Sequence, residues 1–385
     1  MIDLSLNRVR PGMVMAQSVY NSSGANYLTK GMPLTQTYIE KLRQLGIEDI
    51  HVLSTSIDDM SPLPQEDVLQ EKTRVMAVKR VYDVFQQIRQ KGTLDLAPLE
   101  KASATIVNDV MNRRGNLVQL TDIRMHDMYT FAHSVNVAML SSLIGVLCGF
   151  SEERLSELTF GALLHDLGKI VVPLEVLNKT SRLSKTEFSI IKKHPIAGSD
   201  HILKLNLPNG ERLAMIARQH HEHMDGSGYP DGRKGEEIHV HARIAAIADV
   251  YDALTSNRPY KKAYTPAVAH HIMTNCSGGQ FDEEILNEFF RNVAIYPVGT
   301  VLSTSLGYGI VRKVEFGKTS QPNVCIFADK NEHLLKKPYD VDFSEEKGDR
   351  IESVINDIEL FHFIHQLQFD PAMLLLEDGL ASLLS

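Results

Sequence analysis

Seven histidine and aspartate side chains in the middle of the chain have the types and the setting of metal ligands. They stand in or beside apolar, helical sequence, where a buried imidazole or carboxylate needs a partner to offset its lost hydration. Two of the histidines are adjacent, which makes them hard to satisfy without a shared cation. The candidate ligands are His133, His165, Asp166, His194, His220, His221 and Asp249.

The donor atoms indicate which metals and which chemistry to expect. Histidine nitrogen and carboxylate oxygen without thiolate suit iron, manganese, nickel or zinc, and Asp166 could bridge two ions. Two ions about 3.5–4 Å apart are a recurring arrangement for phosphoester hydrolysis, in which they activate a water and hold the phosphate. Asp252 lies one helical turn after Asp249. We predict that Asp252 supports a ligand or contacts substrate rather than binding metal.

Each of these side chains also has an ordinary structural explanation when it is taken alone. His133 could be a satisfied core histidine, His194 a cap at the end of a helix, and Asp166 a buried hydrogen-bond acceptor. These explanations do not cover all seven residues together, and we therefore expect a metal pair.

The bulk composition excludes several classes of protein. The 385 residues are 43% hydrophobic and 23% charged, as in an ordinary soluble globular protein. A net charge of −8 argues against a binder of nucleic-acid polymers, which normally carries a basic face. Three scattered cysteines indicate neither a disulfide framework nor a zinc ribbon. Without a membrane-length apolar run or a signal-peptide core, the sequence predicts a cytoplasmic protein with no membrane partner.

Changes in periodicity divide the chain into five predicted segments and indicate a mainly α protein. Helical, apolar sequence fills the middle, while β-branched runs with glycine-rich turns follow residue 295. We predict a helical metallohydrolase domain flanked by a small N-terminal α+β module and a small C-terminal β-domain with a helical tail. The boundaries are 1–60 for the N-terminal module, 61–104 for a helical linker, 105–295 for the helical domain, 296–345 for the β-domain and 346–385 for the tail.

Five stretches together resemble the HD-GYP subgroup of the HD metal-dependent phosphohydrolases. They are YTFAHSVNVA (129–138), HDLGK (165–169), KKHPIAG (192–198), HHEHMDGSGYP (220–230) and ADVYDALTSNRPYKKA (248–263). An HD pair alone is a weak signal, but this combination at this spacing is specific. The resemblance covers residues 105–295 and implies a helical domain that holds two, sometimes three, metal ions, usually iron or manganese. It also implies hydrolysis of cyclic di-GMP to pGpG and often on to GMP.

The resemblance implies roles for individual residues as well. The seven candidate ligands match the metal ligands of the family, and Lys169 matches the lysine that contacts the scissile phosphate. Arg258 and Lys261 match basic residues that hold phosphate or guanine. The signature loop helps to shape the site and is a candidate docking surface for a partner such as a diguanylate cyclase domain. Its residues are Asp225, Gly226, Gly228, Tyr229 and Pro230.

One position departs from the pattern of the three-metal members. Those members carry an acidic residue one helical turn before the first histidine ligand, where this chain has Tyr129. We therefore expect two divalent ions, and a weaker second hydrolysis from pGpG to GMP.

The expected mechanism assigns Asp166 and Lys169 to catalysis. Two metals, bridged by Asp166 and a hydroxide, hold one phosphodiester of the cyclic dinucleotide while the hydroxide attacks phosphorus. The metals and Lys169 stabilise the charge that builds on the phosphoryl oxygens. Arg258 and Lys261 supply local positive charge for substrate binding, and Asp252 is the further candidate substrate contact.

Three alternatives stay open. The same chemistry could act on cyclic GMP-AMP or pGpG, since the sequence does not reveal the contacts that select the base. The chain could instead sense cyclic di-GMP without hydrolysing it, or be an HD nucleotidase for mononucleotides. The linker helices could also pair two subunits in a homodimer.

Overall fold

The computed structural model describes residues 2–375 except 17, 21–25, 30, 46, 48, 54–70, 91–94, 113–128, 178, 180, 257–262, 277, 345–349, 368 and 370. Structural statements apply to this part of the chain. Its α-helices are α1 (Gln36–Gln44), α2 (Glu71–Arg89), α3 (Ala97–Asn112), α4 (Tyr129–Leu147), α5 (Glu152–Leu163), α6 (Leu174–Leu177), α7 (Lys185–Ile191), α8 (His194–Lys204), α9 (Gly210–Gln219), α10 (Val240–Thr255), α11 (Pro266–His271), α12 (Glu283–Asn292) and α13 (Asp357–Leu367). Short 3-10 helices cover Leu167–Val171, Gly235–Glu237 and Pro371–Leu375, and a π-helical turn covers Ile272–Cys276.

The strands form three antiparallel sheets at the two ends of the chain. They are β1 (Ile2–Ser5), β2 (Val14–Met15), β3 (Val19–Tyr20), β4 (Asn26–Leu28), β5 (Asp49–Leu53), β6 (Val301–Thr304), β7 (Gly307–Lys313), β8 (Asn323–Ala328), β9 (Leu334–Asp342) and β10 (Ile351–Val354). The sheet orders are β1-β5-β2, β3-β4 and β10-β6-β7-β8-β9. The predicted class, a mainly helical protein with small sheets in the N-terminal and C-terminal regions, is confirmed.

The N-terminal module has a core of its own. In its three-stranded sheet β1 pairs with β5 in the register Ile2↔Val52. Helix α1 begins after Thr35, whose hydroxyl accepts a hydrogen bond from the Tyr38 amide at 3.2 Å, as helix caps do. Its buried side chains Ile39 and Leu42 pack against the sheet in this core.

The segment predicted as a linker is part of the helical domain. Helix α2 contributes Val81 and Phe85, and α3 contributes Leu99 and Ile106, to the buried cluster that also holds α4, α5 and α10. Helix α3 also runs across the predicted boundary at residue 105. The described helices of the predicted helical linker over 61–104 therefore pack on the core of the helical domain, because their apolar faces are buried against it.

The C-terminal region differs from the prediction at one strand. The tail expected to be helical from residue 346 begins instead with β10, which pairs with β6 through Ser353↔Ser303. The run IESV places two polar residues side by side, so it lacks the alternation that indicates a strand. Helix α13 follows as expected, and its Leu360 packs against both the N-terminal core and the β-domain core. Among the described helices, none is long and apolar enough to cross a membrane.

A glycine lets two elements of the helical domain approach closely enough to share one site. The turn Leu167–Val171 follows α5 and lies against the start of α8. A Cβ atom added at Gly168 would overlap the carbonyl oxygen of His194 and lie 2.5 Å from the amide nitrogen of Gly198. Only glycine fits this backbone contact, which brings the end of α5 to the first residue of α8.

Candidate metal centre

Four helices and one turn bring the seven predicted ligands together. His133 projects from α4 and Asp249 from α10, while His165 and Asp166 follow the end of α5. The remaining three lie at the start of α8 and just after α9. Two sets of three have ligand atoms within 4.8 Å of one another, namely His133 with His165 and Asp166, and His194 with His220 and His221. We call these the inner group and the outer group.

The inner group is almost fully buried. The Nε2 atom of His165 lies 3.4 Å from Oδ2 of Asp166, and Nε2 of His133 lies 3.9 Å from the same oxygen. Oδ1 of Asp249 is 3.0 Å from Nε2 of His133. Only 5% of the His133 side chain and 1% of the His165 and Asp166 side chains are exposed.

The outer group reaches the protein surface. The Nε2 atoms of His194 and His220 are 3.3 Å apart inside the domain. His221 is 25% exposed at its side chain, and its ring stacks on the Tyr229 ring with centroids 4.7 Å apart. A ligand of the outer group is therefore accessible from solvent, beside the signature loop.

Two aspartates face both groups. Asp166 directs Oδ2 to the inner group and Oδ1 to His194, 3.3 Å from its Nε2 atom. Asp249 directs Oδ1 to His133 and Oδ2 to His221, 3.8 Å from its Nδ1 atom. A carboxylate with one oxygen on each side has the arrangement required to bridge two ions.

The helical backbone sets the tautomer of three histidines. The Nδ1 atoms of His165, His194 and His220 lie 2.7, 2.8 and 2.9 Å from the carbonyl oxygen three residues earlier in the chain. Nδ1 must carry the proton to donate these bonds, which leaves the Nε2 lone pair of each neutral ring directed into the centre. Metal-binding histidines are commonly oriented in this way.

The arrangement fits metal cations. Nε2 of His165 and Oδ1 of Asp166 are buried without a hydrogen-bond partner among the described residues. The Nε2 lone pairs of His194 and His220 face each other at 3.3 Å, with no hydrogen between them when both Nδ1 atoms are protonated. Buried acceptors that face one another need a shared positive charge. Nitrogen and carboxylate donors without sulfur suit borderline divalent ions.

Asp252 holds His133 in place. Its Oδ2 atom is 2.6 Å from Nδ1 of His133, and its Oδ1 atom accepts hydrogen bonds from Asn136 Nδ2 and Ser256 Oγ, both at 2.8 Å. With 4% of the residue exposed, both oxygens are engaged inside the protein. Both oxygens are engaged by His133, Asn136 and Ser256, which is the geometry of a residue that supports a ligand. The contact of Asp252 with substrate stays a prediction.

The two groups differ in their protonation. Although burial opposes it, hydrogen bonds to Asp249 and Asp252 raise the pKa of His133 to about 9. Burial lowers the pKa of His194 to about 4 and that of His221 to about 3. Burial alone would raise the pKa of Asp166, but Lys169 and the neighbouring histidines hold it well below its usual range. Without metal, an imidazolium at His133 supplies positive charge between two carboxylates, while the outer rings stay neutral.

Lys169 and the signature loop border the centre. Nζ of Lys169 lies 2.5 Å from Oδ2 of Asp166, with 22% of its side chain exposed. At Gly228 an added Cβ would lie 2.5 Å from the His221 carbonyl oxygen, so the loop can approach the outer group only with glycine. Tyr229, followed by Pro230 after a cis peptide bond, stacks on His221.

The other two loop residues lie away from the ligands. The Asp225 amide donates to the Gly279 carbonyl at 3.0 Å, and its carboxylate accepts from the Ser227 amide at 2.8 Å. Gly226 has a φ of +84°, which favours glycine. Asp225 and Gly226 therefore shape the loop rather than the centre.

Some predicted residues are outside the described chain, and some contributors were missed. Arg258 and Lys261 fall in the undescribed segment 257–262, and the side chain of Tyr129 is likewise not described. Sequence reasoning missed Asn136, although it lies one turn after His133 on the same face. It also missed Glu222, a buried carboxylate that accepts hydrogen bonds from loop amides at 2.7 and 3.0 Å. Its position directly after two histidines was the available signal.

Comparisons with known proteins assign the chain to a family. The HD domain family model matches residues 105–285. The cyclic di-GMP phosphodiesterase response regulator RpfG of Xanthomonas campestris is 37% identical over 270 residues, which are 67% of this chain and 71% of that protein. The chain belongs to the HD-GYP family. Within that family it is also 32% identical over 273 residues to the cyclic di-GMP phosphodiesterase PA4108 of Pseudomonas aeruginosa, covering 69% of this chain and 66% of the relative.

Another relative has a different substrate in its name. The 3′3′-cGAMP-specific phosphodiesterase 1 of Vibrio cholerae is 33% identical over 192 residues, 49% of this chain and 43% of that protein. A solved HD-GYP structure from Bdellovibrio bacteriovorus covers 75% of this chain and 97% of its own, at 19% identity and a TM-score of 0.47.

Proposed function

We propose that this chain is a metal-dependent phosphodiesterase that hydrolyses cyclic di-GMP to linear pGpG. The observation that carries the proposal is the pair of buried donor groups with Asp166 and Asp249 directed to both. Relatives of the family that are named cyclic di-GMP phosphodiesterases support the choice of substrate.

The proposed cofactor is a pair of divalent ions, iron or manganese. His133, His165, Asp166 and Asp249 would hold one ion, and the outer group with the same two aspartates would hold the other. Such a pair supplies a hydroxide nucleophile and neutralises the phosphate. The chain's own contribution is to fix five imidazoles and two carboxylates around one small volume. Lys169 adds a partly exposed ammonium group beside the buried Asp166, where it would stabilise negative charge on a bound phosphate.

We also infer a contact surface for a purine base beside the outer group. The Phe188 and Tyr229 rings have centroids 6.5 Å apart, and Phe188 is 45% exposed. Lys192 Nζ lies 4.7 Å from the centre of the Tyr229 ring and 5.1 Å from that of Phe188. An exposed aromatic face with a nearby cation suits a nucleobase joined to a phosphate. Arg258 and Lys261 remain predicted substrate contacts.

The test is product analysis with two substrates. Anaerobically purified protein, loaded with Mn²⁺ or Fe²⁺, is incubated with cyclic di-GMP or with 3′3′-cyclic GMP-AMP, and the products are separated by chromatography. We expect pGpG from cyclic di-GMP, formed faster than product from the mixed dinucleotide, and loss of turnover on chelation. Faster cleavage of cyclic GMP-AMP would favour the second candidate, which is supported by the Vibrio relative. Binding of cyclic di-GMP without products would indicate a sensor. The homodimer and the docked diguanylate cyclase domain stay predictions.

A further inference from the structure

A buried arginine on α2 is connected to the inner group through a chain of hydrogen bonds. Arg74 lies in the first turn of α2 and is 3% exposed. Its Nη1 atom donates to Oδ1 of Asn136 at 2.8 Å, and Nδ2 of Asn136 donates to Oδ1 of Asp252 at 2.8 Å. Oδ2 of Asp252 then accepts from Nδ1 of His133 at 2.6 Å. Three hydrogen bonds thus separate the guanidinium from the imidazole.

The direction of donation is the same at every step of this chain. A guanidinium can only donate, so Asn136 must accept with its oxygen and present its amide hydrogens to Asp252. The carboxylate of Asp252 can then accept from His133, which fixes the proton on Nδ1 and leaves Nε2 as the ligand atom. Arg74 therefore selects the Asn136 side-chain orientation that produces the metal-binding tautomer of His133.

The position of Arg74 in the chain makes this connection unexpected. The HD domain match begins at residue 105, and Arg74 stands 31 residues earlier, within the segment 61–104 that the sequence predicts to be a helical linker. Burying a guanidinium requires charged or polar partners. Its Nη2 atom also lies 3.6 Å from the Met139 sulfur, one turn beyond Asn136 on α4.

We propose that Arg74 is a positioning residue of the metal centre, acting through Asn136 and Asp252 to hold His133 in its metal-binding tautomer and orientation. The proposal rests on the proposed function only in that His133 is taken as a metal ligand. It makes α2 part of the functional unit, so that a displacement of the first turn of α2 alters the inner group while the outer group keeps its own backbone supports.

The test is metal affinity, measured without substrate. Mn²⁺ binding to metal-free protein is followed by calorimetry, and the visible absorption of the Co²⁺-loaded protein reports the ligand geometry. Changes in hydrogen-bonded partners of metal ligands cost about 10- to 100-fold in affinity. Since Arg74 lies two residues further from His133 than Asp252 does, we expect a smaller effect, about three- to tenfold weaker Mn²⁺ binding in Arg74→Met, with an altered Co²⁺ spectrum.

A matched control and a double-mutant cycle separate positioning from plain stability. Arg80→Met makes the same change on α2, where Arg80 pairs at 3.4 Å with Asp83 at the surface, and should leave Mn²⁺ affinity unchanged. Once Asn136→Ala has broken the chain of hydrogen bonds, adding Arg74→Met should weaken Mn²⁺ binding by less than twofold further. Arg74→Lys keeps the charge and one donor, so its Mn²⁺ affinity should fall between that of the wild type and that of Arg74→Met. It serves the same test if Arg74→Met does not fold.

The outcomes distinguish this inference from the proposed function. Unchanged Mn²⁺ affinity in Arg74→Met, with only a lower melting temperature, would overturn the positioning role and leave the metal centre intact. Full additivity of Arg74→Met and Asn136→Ala would overturn it as well. Failure of the wild-type chain to bind Mn²⁺, Fe²⁺ or Co²⁺ would overturn the proposed function itself, together with the role of Arg74 in it.

Discussion

The inner and outer groups use the same kinds of ligand but are held in different ways. His133 in the inner group is oriented by side chains, through Asp252 and Asn136, and is 5% exposed at its side chain. His194 and His220 in the outer group are oriented by backbone carbonyls of their own helices, and His221 is covered on one face by Tyr229. The comparison indicates that His133 is fixed by a contact with another helix, whereas His165, His194 and His220 are oriented locally by their own backbone. The outer group is also open to substrate.

The largest expected effect comes from removing the residue that the two groups share. In Asp166→Ala, both groups lose one of the two carboxylates they share and keep only Asp249, so we expect loss of bound metal and a fall in turnover of more than about 100-fold. Elemental analysis and product chromatography measure the two quantities on one sample. Asp231→Ala, which removes a surface partner of Arg218 at 2.7 Å, is the control. Full metal content and rate in Asp166→Ala would show that the bridging assignment is wrong.

Forcing the two groups apart should have the next largest effect. In Gly168→Ala the new methyl group would meet the His194 carbonyl, so the turn after α5 and the start of α8 must separate. We expect lower thermal stability and loss of metal from both groups. Gly210→Ala is a matched control on α9, because a Cβ there has its nearest neighbour at 3.8 Å. A Gly168→Ala protein with wild-type melting temperature and metal content would contradict the close contact.

Removing the support of His133 should affect one group only. In Asp252→Asn the charge that holds His133 is lost, and the amide must share its site with the donors of Asn136 and Ser256. We expect about 10- to 100-fold weaker binding of one Mn²⁺ ion and little change in the other. Calorimetric titration resolves the binding of the two Mn²⁺ ions. Equal weakening of both ions would contradict the assignment of His133 to one ion only.

The stability of the metal-free protein should depend on pH, and the histidines of the two groups should contribute to this dependence with opposite signs. His194 and His221 have pKa values lowered to about 4 and about 3, so their contribution to stability is lost as pH falls below about 6.5, where the unfolded chain takes up protons. His133, with a pKa raised to about 9, contributes stability that is fully present below about 6.5 and is lost as pH rises through about 9. Melting temperatures measured across this pH range report the loss of stability on the acid side (the acid limb) and on the alkaline side (the alkaline limb).

Variants assign each limb to its group. His194→Gln should make the loss of stability on the acid side shallower, since only His221 of the two rings still titrates there. His133→Gln should remove the loss of stability on the alkaline side, because it removes the titrating ring. If His133→Gln left the alkaline limb unchanged, the imidazolium between Asp249 and Asp252 would not be the group responsible.

The smallest expected effect concerns the open side of the outer group. Phe188→Ala should raise the KM for cyclic di-GMP about three- to tenfold, in line with about 1 kcal/mol or more for one base stack, and leave metal content unchanged. Phe316→Ala is the control, since Phe316 is 51% exposed in the C-terminal region. Steady-state kinetics measures this KM. An unchanged KM would show that Phe188 does not contact the substrate.

The sequence predicted the elements and the ligand set better than the contacts that organise them. Adjacent buried histidines and an HD pair are local signals, and the cap at Thr35 marks the start of α1. The contact of Arg74 with Asn136 joins residues 62 positions apart, and no periodicity reports such a contact. A single sequence likewise does not show that α2, in the predicted helical linker, packs on the core of the helical domain. The strand β10 was missed because its pairing with β6, rather than its own four residues, defines it.

The role of Asp252 shows the same limit within the site. Its spacing placed it on the face of α10 that carries Asp249, and sequence reasoning could not choose between supporting a ligand and contacting substrate. The choice depends on what its oxygens meet, and they meet His133, Asn136 and Ser256. Partners from another helix are set by packing, which a single sequence does not show.

The most direct test of the central claim is anomalous diffraction from crystals of the protein loaded anaerobically with Mn²⁺. The account predicts two peaks in each chain. One lies beside His133 and His165, the other beside His194 and His220, and the carboxylate of Asp166 lies between them. A single peak, or density away from these seven side chains, would contradict a two-metal centre built from the inner and outer groups.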